Sequence, residues 1–451
     1  MNLYNTLTRQ VEPLDCADGK VHMYVCGITP YSSSHLGHAM CAVLFDVIRR
    51  YLEYKGFEVN HIQNFTDIDD KMIVAANESG VTVKELAEAN IEAYLNELLA
   101  LNVLPASQYP KATEEIGSII RVIEGLIEKG YAYDVNGDVY FRVRNNQDYG
   151  KLSRRNLDEM LSGARLEVDE SKEYSGDFAL WKSEKPGEPS WDSPWGKGRP
   201  GWHIECTAMS LGYLDNRVDI HGGGQDLVFP HHENEIAQSE AYTGAKPFSR
   251  FWVHNGTLGY GEEKMSKSLG NVFTIRAALD VFTPESLRLF FVSSHYRSPL
   301  VFGDELVHSQ VRAISRLKNA MNARSGIGDT IDSSKYKVAF EDAMDDDLNT
   351  PKALAAIFDL AREINRSASK GSNVNSAQEL LTKLLAVLGI DIEVESGHSG
   401  ELEPYIELLI ALRKDLRGEK QFTMADKIRD ELSELGIRLE DSGDDTRWSK
   451  A

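Results

Sequence analysis

Apolar positions change period twice within the first 70 residues. Residues 21–27 (VHMYVCG) form a short β-rich run closed by Gly27, followed by the polar stretch ITPYSSSHLGHA. From Ala39 the string AMCAVLFDVIRRYLEYKG repeats its apolar residues at helical spacing, and after Gly56 the string EVNHIQNFTDID again suits a strand. Strand, helix and strand in this order predict a βαβ unit. That implies a parallel sheet in a Rossmann-type α/β fold, with ligands at the loop beyond the first strand.

Helical periodicity dominates from about residue 72 to 130, until VNGDVYFRV and the Gly/Pro/Trp-rich EKPGEPSWDSPWGKGRPG interrupt it. Sheet-like runs return at RVDIHGGG and RFWVHNGTLGYG, which predicts a discontinuous α/β domain (1–115 and 190–260) around an insertion (116–189). A linking region follows (261–300). Beyond it AISRLKNAMNA, the stretch after Asn349 and AQELLTKLLAVLG predict a helical bundle over 301–392. There Thr350 is expected as N-cap with Pro351 at the first helical position, and Leu354, Ile357, Phe358, Ala361 and Ile364 fall on one face. The polar EVESGHSGE separates the bundle from a small α/β piece at 401–451 with two helical patterns and a short β-like run.

Composition narrows the class. A chain of 451 residues with 42% hydrophobic and 26% charged positions is globular, of roughly three domains. Its net charge of −21 disfavours non-specific binding to nucleic acid or anionic membrane, so an RNA partner has to be held by local basic patches. The four cysteines, Cys16, Cys26, Cys41 and Cys206, are too scattered for a disulfide framework and point to a reducing compartment. Without a signal-like or membrane-spanning apolar run, a cytoplasmic location is expected.

Three constellations carry chemistry. Ser34-His35-Leu36-Gly37-His38 sits where a helix begins, so two imidazoles and free N–H groups around Gly37 suit phosphate; taken alone, the pair is equally a polar helix cap. Lys264-Met265-Ser266-Lys267-Ser268 places two lysines where they neutralise charge building on a polyphosphate, though such a string alone is also an ordinary solvated loop. Cys26, Cys206, His231 and Glu235 offer two thiolates, an imidazole and a carboxylate. The last two share one helical face at i and i+4. The competing view is of buried small cysteines and a polar helix face.

HLGH and KMSKS together resemble the two signatures of class I aminoacyl-tRNA synthetases. Over nearly the whole chain MYVCGIT, HLGHA, NFTDIDDK, GRPGWHIEC, DIHGGGQDLVFPHHENEIAQ, EKMSKSLGN and AMDDDLNTP resemble the cysteinyl-tRNA synthetases in particular. Leu36 for the usual Ile is a conservative departure, and Pro30 stiffens the loop ahead of the signature.

The resemblance implies a ligase that activates L-cysteine with ATP and transfers it to tRNA(Cys), as a monomer. It implies Zn2+ on Cys26, Cys206, His231 and Glu235, with the substrate's sulfur as a further ligand. His35, His38, Lys264 and Lys267 would serve the ATP phosphates, and Thr66 and Trp202 would line the cysteine pocket. Gly27 and Thr29 would lie near the substrate amine and carboxylate or the nucleotide. Gly37 belongs to the phosphate loop, and Gly222, Gly223, Gly224 and Asp226 to the adenosine site. Mg2+ accompanies ATP in such chemistry, with no residue marking its site. The segments then read as a connective insertion, a stem-contact region, a tRNA-binding bundle and an anticodon-recognition piece. Zinc answers a specificity problem: cysteine and serine are near-isosteres that a shaped pocket separates weakly, whereas zinc takes a thiolate and largely refuses an alcohol.

Two rivals stay open on sequence. A cysteine ligase of the mycothiol-pathway type shares this site but joins cysteine to an amino sugar, and its family lacks the full C-terminal extension. A catalytically dead paralogue that only binds RNA is disfavoured by the intact signatures. The nine basic residues of 401–451 do not decide the matter, because thirteen acidic ones accompany them.

Overall fold

A computed structural model of the protein describes residues 1–155, 172–214, 216–260, 263–264, 273–392, 399–442 and 445–450. They fall into two units, residues 1–392 and 393–451.

The first unit opens with a hairpin of β1 (Asn2–Asn5) and β2 (Gln10–Pro13), and then forms the predicted βαβ: β3 (Lys20–Val25), α1 (Leu36–Tyr54) and β4 (Glu58–Gln63). Val21, Met23, Tyr24 and Val25 of β3 are all buried, as expected of a central parallel strand covered on both faces. Helices α2 (Asp70–Ser79), α3 (Val83–Ala100) and α4 (Ile116–Glu128) follow. The insertion is an antiparallel sheet of β5 (Ala132–Val135), β6 (Asp138–Phe141), β7 (Phe178–Ser183) and β8 (Gly198–Pro200). The chain returns through α5 (Trp202–Tyr213), β9 (Val218–Gly224), α6 (Glu233–Thr243) and β10 (Ser249–Asn255).

β3, β4, β9 and β10 form one parallel sheet in the order β10-β9-β3-β4. One crossover leaves β3 towards β4 and the other leaves β9 towards β10. The strand order therefore reverses between β3 and β9, and the crevice beyond their carboxyl ends is where an open α/β sheet binds ligands. Cys26–Thr29 extend from one of these ends and Gly222–Gly224 lie at the other.

β11 (Leu258–Tyr260), β12 (Glu263–Lys264), α7 (Ile275–Leu279), α8 (Pro284–Val292) and β13 (Leu300–Phe302) make up the next segment. The expected bundle follows with α9 (Asp304–Met321), α10 (Ser334–Asp345), α11 (Thr350–Ala368) and α12 (Asn375–Val387). One detail differs from expectation. The cap of α11 is Asn349, not Thr350: the Asn349 side chain accepts from the Lys352 N–H at 3.3 Å, while the Thr350 hydroxyl is drawn to the Ser294 carbonyl at 3.3 Å. An amide oxygen at that position wins over the hydroxyl, which has a tertiary partner. Leu354, Ile357, Ala361 and Ile364 are buried as the periodicity requires, and Phe358 is half-buried.

The second unit holds α13 (Ser399–Gly418), α14 (Phe422–Glu434) and an antiparallel hairpin of β14 (Ile437–Ser442) and β15 (Asp445–Lys450). Arg413 grips Asp441 in a bidentate pair at 2.8 and 2.9 Å, which ties α13 to the hairpin. Among the described residues no helix is long and apolar enough to cross a membrane.

Candidate active site

Helix α5 works as a wedge. Ile204 and Ala208 join the insertion's core with Phe141, Leu180 and Trp181, while Cys206 and Met209 turn towards a cluster with Tyr24, Cys26 and Trp252. That second face delivers Cys206 to the end of β3. The Cys26 and Cys206 sulfurs lie 3.7 Å apart although 180 positions separate them. Glu235 Oε1 is 3.3 Å from the Cys26 sulfur and 3.0 Å from His231 Nε2. His231 lies just ahead of α6, and the i,i+4 spacing to Glu235 still holds across the junction. The four predicted ligand atoms lie within 4.8 Å of one another, and all four residues are buried.

Burial opposes charge throughout this cluster. Against it, His221 and His231 hold Glu235 well below the usual carboxylate range, and His231 rises to about 10 facing Glu235 and Cys206. Burial raises the Cys206 thiol, but the hydrogen bond from Cys26 and the facing His231 hold it down at about 6. Cys26 stays well above a free thiol, mainly through burial and its bond to Cys206. Two soft sulfurs, an imidazole and a carboxylate are a complete donor set for Zn2+. His221 Nδ1 is buried without a hydrogen bond, and Glu235 Oε2 makes none of good geometry although His221 Nε2 lies 3.2 Å away, so the polar cluster is not closed by the protein alone.

Sequence reasoning missed the histidines around this set. His221 Nε2 lies 3.5 Å from the Cys26 sulfur and 3.2 Å from Glu235, and His232 Nε2 lies 3.3 Å from the same sulfur. Cys26, His221, His232 and Glu235 thus form a second group with compatible spacing, sharing two members with the first. A helical template places i+1 well off the face of i. The turn into α6 is nevertheless buried on every side, His231, His232, Glu233, Asn234 and Glu235 alike, so both imidazoles lie in the interior. His232 Nδ1 meets His254 at 2.7 Å, and His254 meets the Thr6 hydroxyl at 2.8 Å. His203 Nδ1 meets His231 Nδ1 at 3.0 Å. His232 and His231 are thereby each oriented by an outer ring, His254 and His203.

Trp202 is 40% exposed and stacks on His231 with ring centroids 4.4 Å apart, forming an accessible wall beside the cluster. Thr66 is buried, its N–H donating to the Ile28 carbonyl at 3.1 Å. Gly27 donates to Asn64 Oδ1 at 2.9 Å, and a Cβ on it would lie 1.6 Å from the Asn64 carbonyl oxygen. Backbone cannot yield there as a side chain would. Gly27→Ala is therefore expected to lose stability by about 1–3 kcal/mol and to depress cysteine-dependent pyrophosphate exchange; chemical denaturation and the exchange assay read the two effects.

The first signature caps α1 with its own imidazoles. His35 Nδ1 accepts from the Gly37 N–H at 3.1 Å, His38 Nδ1 accepts from the His35 N–H at 3.4 Å, and the two rings stack at 3.7 Å. A neutral imidazole that accepts at Nδ1 carries its proton on Nε2, so the pair presents N–H donors beside a helix N-terminus. The cap and the phosphate-facing roles are thus compatible.

At the end of β9 the glycines allow close approach. A Cβ on Gly222 would sit 2.1 Å from the Phe45 ring, and one on Gly223 would lie 3.1 Å from the His232 ring. Asp226 is exposed in the following turn, and Thr29 and Gly37 are half-buried.

The second signature is only partly visible. Lys264 lies in β12, paired with Gly259 of β11, whereas Met265–Ser268, including Lys267, fall outside the described residues. The chain re-emerges against the first signature: Leu36 N–H donates to the Phe273 carbonyl at 3.1 Å, and Ile275 N–H donates to the Ser34 carbonyl at 3.0 Å. Residues 273–275, which follow the second signature in the chain, are thus held against the first.

Residues 12–312 match the model for the class I (C) catalytic domain of tRNA synthetases, and residues 339–393 match that of the DALR domain. The chain is 53% identical over 455 residues to a protein of Dehalococcoides mccartyi named cysteine–tRNA ligase, covering 99% of each. It is 49% identical over 465 residues to one of the same name from Carboxydothermus hydrogenoformans, covering 100% of each. Among solved structures, Mycobacterium tuberculosis methionyl-tRNA synthetase in complex with methionyl-adenylate superposes with a TM-score of 0.59 at 15% identity, over 82% of this chain and 89% of that one. At that identity the likeness concerns the fold.

Proposed function

The chain belongs to the cysteine–tRNA ligases among the class I tRNA synthetases, and from that premise we propose how its residues divide the work. The enzyme uses ATP to activate L-cysteine and transfers the cysteinyl group to the 3′ end of tRNA(Cys). The match along the whole of each relative, small C-terminal unit included, favours a tRNA acceptor over an amino sugar.

In the first step the cysteine carboxylate attacks the α-phosphate of ATP and pyrophosphate leaves; in the second the terminal ribose of the tRNA takes the cysteinyl group and AMP leaves. Catalysis here is positioning and charge stabilisation. The Nε2–H groups of His35 and His38 hold phosphate oxygens beside the start of α1 and Gly37. Lys264 and Lys267 neutralise charge on the departing pyrophosphate, with Mg2+ carried in on the nucleotide. Gly222, Gly223 and Gly224 let backbone approach the adenosine, and Asp226 accepts from its ribose. Gly27 and Thr29 flank the substrate's amine and carboxylate, while Thr66 and Trp202 close the pocket around its side chain.

Cys26, Cys206, His231 and Glu235 are the proposed holders of Zn2+, which supplies a Lewis acid that binds the substrate thiolate and discriminates against an alcohol. The convergence of these four donors, buried beside Trp202, carries the cysteine selectivity. His221 and His232 orient the set from behind. The enzyme works as a monomer in the cytoplasm on this proposal.

The test is to charge unfractionated tRNA with labelled cysteine, using ATP and the zinc-replete protein, with serine in parallel. Charging with cysteine alone is expected. Pyrophosphate exchange with cysteine but no charged tRNA would move the acceptor to an amino sugar and overturn the tRNA reading.

A further inference from the structure

Helices α9 and α11 of the bundle pack together through buried residues that include Leu317 and Ala320 on one and Ile357 and Leu360 on the other. Outside this seam lies a groove of about 360 Å3 bordered by Arg316, Asn319, Ala355, Phe358, Arg362 and Asn365. That volume lies within the about 300–1,000 Å3 usual for small-ligand sites.

We propose that this groove holds one unpaired nucleotide of the tRNA, its base stacked on the Arg316–Phe358 pair. The inference rests on the tRNA acceptor assigned above. The Arg316 guanidinium lies 5.1 Å from the centre of the half-buried Phe358 ring, so a flat cation and a flat aromatic face are held together at the groove. Among the described residues the side chains of Arg316, Asn319 and Asn365 make no hydrogen bond or ion pair, while Arg362 is already paired with Asp359. A base offers a π-face to such a platform, and each amide can both donate to and accept from a base edge.

The same features disfavour a bare phosphate. One guanidinium is neutralised, and the Asp359 carboxylate borders the groove, so little net positive charge is left. An unpaired base needs stacking area and neutral polar partners, and both are present. In a chain of net charge −21, such a contact gives grip on RNA that does not rest on bulk electrostatics.

Three variants of the full chain test this: Arg316→Gln, Phe358→Leu and Ala355→Trp. The last fills the groove from an exposed position and leaves the buried seam untouched. Cysteine-dependent pyrophosphate exchange should stay at the parent level in all three, since none touches the activation site. The KM for tRNA(Cys) is expected to rise about tenfold or more, within the span set by loss of one stacked base. Base-specific chemical probing should show one nucleotide protected by the parent protein and exposed with Ala355→Trp.

If Arg316→Gln alone weakens tRNA binding while Phe358→Leu and Ala355→Trp are silent, the site is a phosphate contact and the proposal is overturned. An unchanged KM and footprint in all three overturns it as well. If the unaltered chain exchanges pyrophosphate but charges no tRNA, the acceptor reading has failed and the groove assignment falls with it, which the parent control reveals before any variant is compared.

Discussion

Cys206→Ser is expected to lose bound zinc and cysteine activation together. The change keeps the side chain's shape in a site that is only 1% exposed, so packing is preserved and the donor chemistry alone is altered. A serine hydroxyl is a harder and far more weakly acidic donor than a thiol, and a divalent metal with soft-ligand preference loses much of its hold. Changes in the outer shell of a metal site commonly cost about 10–100-fold, so removal of a direct ligand should lower cysteine-dependent pyrophosphate exchange by about a hundredfold or more. Metal content by elemental analysis and exchange with cysteine against serine measure both consequences. A variant that loses its zinc yet still rejects serine as the parent does would refute the role assigned to the metal. Thr66 and Trp202 would then have to supply the selectivity by shape.

The second large effect is expected far from the chemistry, at Asp46. This carboxylate accepts from Arg50 at 2.8 Å and from the Leu104 N–H at 2.9 Å, and it meets the guanidinium of Arg288. The side chains of Asp46 and Arg288 are each 1% exposed. Arg288 also donates to the carbonyls of Leu388 at 2.6 Å and of Leu101 and Asn102 at 3.0 Å. One buried cation therefore joins α1, α8, the turn after α3 and the turn after α12. Gly389, at φ +66°, could not carry a Cβ there without meeting the guanidinium at 2.1 Å.

Asp46→Ala leaves that cation buried and without its carboxylate, and the stability loss is expected to be about 3–5 kcal/mol in urea or thermal unfolding. The double change Asp46→Leu with Arg288→Met should recover part of it. It removes the uncompensated charge, but three carbonyls still lose a donor. A single-variant loss under about 1 kcal/mol would show that water reaches the pair and that it contributes as little as a surface bridge does.

How much of this was legible varies by element. The βαβ start was readable because strand and helix impose different periods on the apolar residues of 21–69. His231 and Glu235 were readable as a pair because four residues span one helical turn. The cap of α11 was misplaced by one residue, from Asn349 to Thr350, because a tertiary partner at Ser294 decided which side chain was free to cap. His232 was missed because it sits at i+1 from a ligand, off the expected ligand face, and only the burial of His231–Glu235 on every side brings both rings inside.

By itself the sequence determined the local elements, the two signature loops and the identity of the four donors proposed for the metal, since these depend on short-range periodicity and on motif strings. Only the tertiary structure decided that Cys26 and Cys206 meet, that His221, His232, His203 and His254 surround them, and that residues 273–275 are clasped to Ser34–Leu36. The physical reason is the sheet order. β9 lies beside β3 although an insertion with its own core separates them in the chain, and α5 buries one face in that core while it aims Cys206 from the other. No local pattern encodes such a meeting, because it is set by the burial of faces belonging to elements far apart in the chain.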